Sequence, residues 1–177
     1  LEHCRAILVK KSRWSETSVL ATWVTDRFGT LRTSARGALR KGNPLNGKLD
    51  LFHCGEISFS LSRQSSLHAL REVLLSETFE NASYPALAVA SYFSELTASV
   101  AAPMQPSYEL HDLLSRALRH LSFREPTRRA FEFFEKETAG ILGVWSPSAT
   151  IPPHIALAQL CGKLPGTRSR ALEAMVC

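Results

Sequence analysis

The chain has 177 residues, 45% of them hydrophobic and 21% charged, with a formal net charge of +5. That is enough chain for one or two domains with a real core, and four widely spaced cysteines (Cys4, Cys54, Cys161, Cys177) make no disulfide framework and fit a reducing compartment better. No membrane span is expected, because the most apolar stretch, 84–102, is interrupted by Pro85, Glu95 and several Ser; the N-terminal LEHCRAILVKK lacks the apolar core of a signal peptide, so the cytoplasm is the expected location.

The charge is unevenly placed. Residues 1–75 hold twelve Lys/Arg against six Asp/Glu, net +6, and residues 76–177 hold nine against ten, net −1, which together give the +5 of the chain. Such an asymmetry suggests a polyanion-binding module joined to something else.

In chain order, His3 to Lys10 is a short apolar stretch that ends in charge. Ser18 to Thr25 (SVLATWVT) is rich in β-branched and aromatic residues, Asp26-Arg27-Phe28-Gly29 breaks it, and Thr30 to Ala35 resumes, which predicts a hairpin about a glycine turn. GALRKGNPLNG, 37–47, is a loop. Phe52, Cys54, Ile57, Phe59 and Leu61 approximate strand alternation with one slip near Gly55, the mark of a bulge. LHALREVLL, 67–75, fits a helix as well as a strand. Four or five short strands in about 75 residues suggest a small barrel such as an OB-fold.

Beyond residue 76 the period lengthens. Tyr84 to Val100 is apolar all round and predicts a central helix. Leu110, Leu113, Leu114, Ala117, Leu118 and Leu121 form one face of an amphipathic helix, with Ser107 as its candidate N-cap. Phe131, Phe134, Thr138, Ile141 and Leu142 continue the spacing on another, which Gly143 is placed to close. Past Trp145 the prolines (Pro147, Pro152, Pro153, Pro165) leave room for one or two short helices. The expected architecture is α+β: an N-terminal OB-fold β-barrel over 1–76 followed by an α-helical domain over 77–177.

The cations Lys10, Lys11, Arg13, Arg27, Arg32, Arg36, Arg40, Lys41 and Lys48 interleave with Trp14, Trp23 and Phe28. Single-stranded nucleic acid calls for this combination: cations release counterions from phosphates, and a planar ring offers a face to any base. Lys10, Lys11, Arg13 and Trp14 are expected in the first barrel loop, and Arg36, Arg40, Lys41 and Lys48 on or beside the glycine-rich loop. Trp23 and Phe28 fit core and turn packing, which leaves Trp14 as the base platform. The competing reading of each cation alone is a solvated surface charge. A second group, Arg116, Arg119, Arg124, Arg128 and Arg129 beside Phe131, Phe133 and Phe134, suits an acidic peptide with an aromatic tip, or else local pairing with glutamates.

No metal site is expected, since Cys161 and Cys177 have no second Cys two or three residues away and His154 adds only one further donor. No GxxxxGK[ST], GxSxG or HExxH occurs and the six His are scattered, so an enzyme is not expected and no cofactor is implied.

The run AILVKKSRWSETSVLATWVTDRFGTLRTSARGALRK, with Ser15-Glu16, Thr25, Gly29, Ala35, Gly37 and Arg40 at matching places, resembles the N-terminus of the RecO recombination-mediator family. The Leu-striped helix from Leu110 followed by AFEFFEKETAGILGV is similar to that family's helical half, so the resemblance covers roughly residues 5 to 145. It implies an OB-fold followed by helices, binding of single-stranded and duplex DNA, annealing of complementary strands, recombinase loading, and partnership with RecR and with the acidic C-terminal tail of single-strand-binding protein. Arg128 and Arg129 are the residues put forward for that tail. Many members carry a four-Cys zinc module; here Cys161-Gly162 matches its second Cys, but Ala158 stands where the first would be and only Cys177 remains for the second pair, a degenerate remnant. The alternatives are a protein-interaction adaptor and an RNA-binding OB-fold protein.

Overall fold

The computed structural model describes residues 1–176 and divides them into two compact units, 1–79 with 101–111, and 80–100 with the residues from 112 onward.

The first unit is a closed five-stranded barrel: β1 (Glu2–Arg13), β2 (Val19–Thr25), β3 (Gly29–Ala35), β4 (Cys54–Ser60) and β5 (Leu67–Glu77), in the order β1-β2-β3-β5-β4. All ladders are antiparallel except β3 with β5, which is parallel. This is the OB arrangement expected from the strand spacing. Alternate side chains face inward: Ala6 and Leu8, Ala21 and Trp23, Ile57 and Phe59, and Leu70 and Val73 share one core. Closure leaves no open sheet edge, so the short β-branched runs become stable strands. The ambiguous 67–75 segment is strand because its partners on both sides, β3 and β4, use its backbone hydrogen bonds.

Two glycines are required by close approach. A Cβ on Gly55 would lie 2.4 Å from the Leu74 carbonyl, where the β4–β5 register slips between Cys54 and Gly55 as the alternation foretold. At Gly29, φ is +58° and a Cβ would lie 2.0 Å from the Ala102 carbonyl, because segment 101–111 lies across the β2–β3 turn. There Met104 N–H donates to the Phe28 carbonyl (2.8 Å) and Ser107 N–H to that of Asp26 (2.8 Å). The Ser107 hydroxyl donates to Gln105 O instead of capping the helix that follows.

The second unit is helical: α1 (Tyr84–Val100), the C-terminal part of α2 (Tyr108–Phe123), α3 (Arg128–Ile141), α4 (Pro153–Cys161) and α5 (Thr167–Ala174). α1 has the expected bounds and buries Tyr92, Phe93 and Leu96. Thr127 caps α3 by accepting from Ala130 N–H, and Gly143 (φ +70°) ends it: Gly143 N–H donates to Gly140 O and Val144 N–H to Ala139 O, a Schellman closure. The core is aromatic, with Phe93 stacked on Phe134 (3.9 Å between centroids) and Tyr92 on Phe131 (5.2 Å). Behind these rings Glu135 is buried; it accepts from the Tyr92 hydroxyl (2.7 Å) and from both ends of the Arg168 guanidinium (2.6 and 3.1 Å). Burial and the adjacent Glu135 carboxylate push the Tyr92 phenol far above its ordinary value.

Candidate nucleic-acid interface

The expected cations fall into two sets. Lys10, Lys11 and Arg13 are strand residues of β1, a correction to their placing in a loop. The reason is a bulge: Leu8 pairs with Trp23 but Lys10 with Thr22, so Val9 is the extra residue and the inward-outward parity changes just where the charges begin. β1 therefore continues, still hydrogen-bonded to β2, with Lys10 through Arg13 all exposed.

Four of the cations hold the barrel together. Lys11 Nζ donates to the Leu49 carbonyl (2.8 Å) and to Asp50 (2.8 Å), a hydrogen bond that holds the Asp50 carboxyl below its usual range. Arg13 donates to the carbonyls of Ser15 and Glu16 and closes the β1–β2 loop on itself. Arg27 donates to His3 O and lies 5.3 Å over the Phe28 ring. Lys48 Nζ reaches the Val73 carbonyl (3.0 Å), and with Leu45 and Leu49 in the core it pins the long β3–β4 loop.

The remaining five, Lys10, Arg32, Arg36, Arg40 and Lys41, are exposed and form no ion pair or side-chain hydrogen bond among the described residues. Lys10 and Arg32 flank Thr22 in one row across β1, β2 and β3 on the outer barrel face. Arg36 and Arg40 line a shallow depression of about 480 Å³ with Trp14, Ser15, Thr17, Ser18, Gly37 and Asn43. Trp14 is half exposed (50%), whereas Trp23 is buried with Nε1 donating to Thr33 Oγ1 and Phe28 packs edge-on against Phe59. The depression so brings a free indole and two unpaired guanidiniums together, around a turn whose Gly37 sits at φ +67°.

In the helical unit two of the five arginines of the group form exposed ion pairs: Arg116 with Asp112 and Arg128 with Glu132, both one turn apart along a helix. An apolar cavity of about 270 Å³ lies between α1, α2 and α3, lined by Val89, Leu113, Leu121, Phe131 and Phe133 among others, with Arg116 and His120 at its polar border. Phe133 is 49% exposed there. Arg128 and Arg129, put forward from sequence, are not among the lining residues; the polar side chains that reach the cavity come from α2, whose stripe places Arg116 and His120 beside Leu113 and Leu121. In the sequence His120 stands alone, with no motif to mark it.

Among the described residues no three His, Cys, Asp or Glu side chains come together as a metal site, and Cys177 lies outside them. Cys4 and Cys54 are buried free thiols; burial raises Cys4 to about 12, so it stays protonated. No described helix is long and apolar enough to cross a membrane.

The class defined by this geometry is an OB-barrel protein with a helical unit, with two exposed arginines beside an exposed indole on the barrel. Residues 1–79 match the family model described as Recombination protein O N terminal. The chain is also 24% identical over 168 residues to the DNA repair protein RecO of Listeria monocytogenes serotype 4b (strain CLIP80459), covering 94% of this chain and 62% of that protein. It is 29% identical over 122 residues to the RecO of Gloeothece citriformis (65% and 41%), and 23% identical over 184 residues to that of Listeria welshimeri (100% and 69%). The barrel is thus similar to the N-terminal domain of RecO proteins, and the chain as a whole to RecO proteins at low identity. The chain spans about three-fifths of the length of the Listeria monocytogenes relative.

Proposed function

We propose that this protein acts in DNA repair as a RecO-type mediator: it binds single-stranded and duplex DNA through the barrel, anneals complementary strands, and assists recombinase loading without covalent chemistry. The observation that carries the reading is a group of exposed barrel cations that form no ion pair among the described residues, with Arg36 and Arg40 of that group beside the exposed Trp14. Unpaired cations are what phosphates need, because a cation already neutralised by a carboxylate releases few counterions. Placed on two strands, such cations lower the repulsion that opposes pairing. The apolar cavity bordered by Arg116 and His120 supports a second contact, with the acidic, aromatic-tipped C-terminal tail of single-strand-binding protein. RecR is the further partner of this reading, and the cytoplasm its compartment.

The test is annealing of complementary oligonucleotides, with and without single-strand-binding protein, alongside binding measured against salt. Five phosphate contacts on a single strand give a log–log salt slope of about −3.5. Replacing Arg36, Arg40 and Lys41 together by Ala is expected to bring the slope to about −1.4 and to slow annealing on every sequence alike. Salt-independent binding, or no binding at low salt, would overturn the reading. A preference for RNA over DNA oligomers in competition would favour the RNA-binding alternative.

A further inference from the structure

The barrel unit has a second recess, of about 720 Å³, formed by the start of β3, the loop from β4 to β5 and the segment around Met104. One side is polar, with Arg32, Arg63, Ser62, Ser65 and Ser66; the other is apolar, with Leu61, Pro103 and Met104. A volume of this size suits a small-molecule group of about nucleotide dimensions.

The recess is built, and its binding groups are spare. Ser62 N–H donates to Nδ1 of the buried His68 (3.0 Å), Gln64 N–H to the Ser62 hydroxyl (3.4 Å), and Leu67 N–H to the Ser65 hydroxyl (3.0 Å), so the loop is held at three points. Burial lowers the His68 pKa, which keeps Nδ1 an acceptor at neutral pH. Arg63 and Ser66 are exposed and their side chains form no hydrogen bond or ion pair among the described residues. Met104 sits at φ +61°, a left-handed conformation that non-glycine residues rarely adopt, fixed by its N–H on the Phe28 carbonyl (2.8 Å). Its side chain is nonetheless half exposed, an apolar group held at the recess by a strained backbone.

We propose that this recess takes one nucleotide of a single DNA strand that runs off the basic barrel face. Arg32 is the junction, since it stands in the row with Lys10 and Thr22 and also lines the recess. The phosphate lies on Arg63 and Arg32, the serine hydroxyls meet the sugar or base edge, and the base rests against Leu61 and the Met104 thioether. The inference rests on the DNA-binding reading above, and adds to it a site for an unstacked base that shares no lining residue with the Trp14 depression.

The experiment compares wild type, Arg63→Ala, Met104→Gly and the Arg36/Arg40/Lys41→Ala triple variant in binding to single-stranded oligonucleotides, with a photoreactive 4-thiothymine moved along the strand. Glycine is at ease at positive φ, so Met104→Gly removes the side chain without asking the backbone to move. Arg63→Ala is expected to lose about three- to tenfold in affinity and about 0.7 in salt slope, the signature of one phosphate. Met104→Gly is expected to lose about threefold with the slope intact. Cross-links from one strand position should map to peptides holding Leu61 or Met104. If Arg63→Ala and Met104→Gly keep wild-type affinity and slope while the triple variant loses both, the recess is overturned and the reading of the basic face stands. If wild type binds no single strand, both fall.

Discussion

On the barrel Lys10, Arg32, Arg36, Arg40 and Lys41 form no ion pair among the described residues, whereas at the heart of the helical unit Arg168 is held by a buried carboxylate. The contrast is sharpest between Arg36, exposed at the rim of an open depression, and Arg168, bidentate on a carboxylate that is itself buried. The first arrangement leaves charge available to an anion from outside; the second spends it on holding α5 to α3. Net charge alone would not separate these uses, because an arginine counts the same whether its field is cancelled at 2.6 Å or open to solvent.

The most severe way to break the contrast is Glu135→Ala. It strands the Tyr92 hydroxyl and leaves the Arg168 guanidinium partly buried without its counter-charge, so urea unfolding should show a loss of about 3 kcal/mol. DNA affinity should be untouched; a stability loss below about 1 kcal/mol would mean that water replaces the carboxylate. On the barrel side, Trp14→Ala should weaken single-strand binding by about 1–2 kcal/mol while Trp14→Phe retains most of it, measured by fluorescence anisotropy. Equal losses in both variants would point to packing rather than stacking.

Arg116→Glu reverses the charge at the helical cavity. It is expected to weaken an acidic, Phe-tipped peptide roughly tenfold in titration calorimetry and to leave DNA binding alone, with a stability change under about 1 kcal/mol because its ion pair with Asp112 is exposed. The smallest effect concerns His68. Its pKa is lowered in the folded protein, so its contribution to stability is complete above the ordinary value of 6.5 and is lost as pH falls through the lowered one. Unfolding midpoints of wild type should therefore drop more on acidification below 6.5 than those of His68→Gln; parallel curves would exclude His68 as the cause.

Much of this was legible in residue order. The Gly29 turn, the slip at Gly55, the helix over 84–100 and the glycine closing α3 each follow from short-range rules: positive φ, loss of alternation, uniform apolarity, a left-handed cap. The bulge in β1 was not, because a change of inward-outward parity at Val9 looks in sequence like the end of a strand. Nor was the role of segment 101–111. Nothing in AAPMQPSYELH announces that Ala102 will sit where a side chain on Gly29 would be, a contact over seventy residues of separation that only the folded chain makes.

The sequence by itself determined the fold class, the concentration of charge in the first 75 residues, and Trp14 as the exposed indole, since these depend on composition and local periodicity. Tertiary structure decided which cations are available. Lys11, Arg13, Arg27 and Lys48 look the same in sequence as Lys10, Arg32, Arg36, Arg40 and Lys41, and the first four differ only because a carbonyl or carboxylate distant in the chain, or across a closing loop, lies within 3.1 Å. Of the arginine group it put Arg116 at the border of the helical cavity, with His120 beside it and without Arg128 or Arg129, because the direction of a side chain on a helix is set by the packing of that helix against its neighbours and not by its distance along the chain.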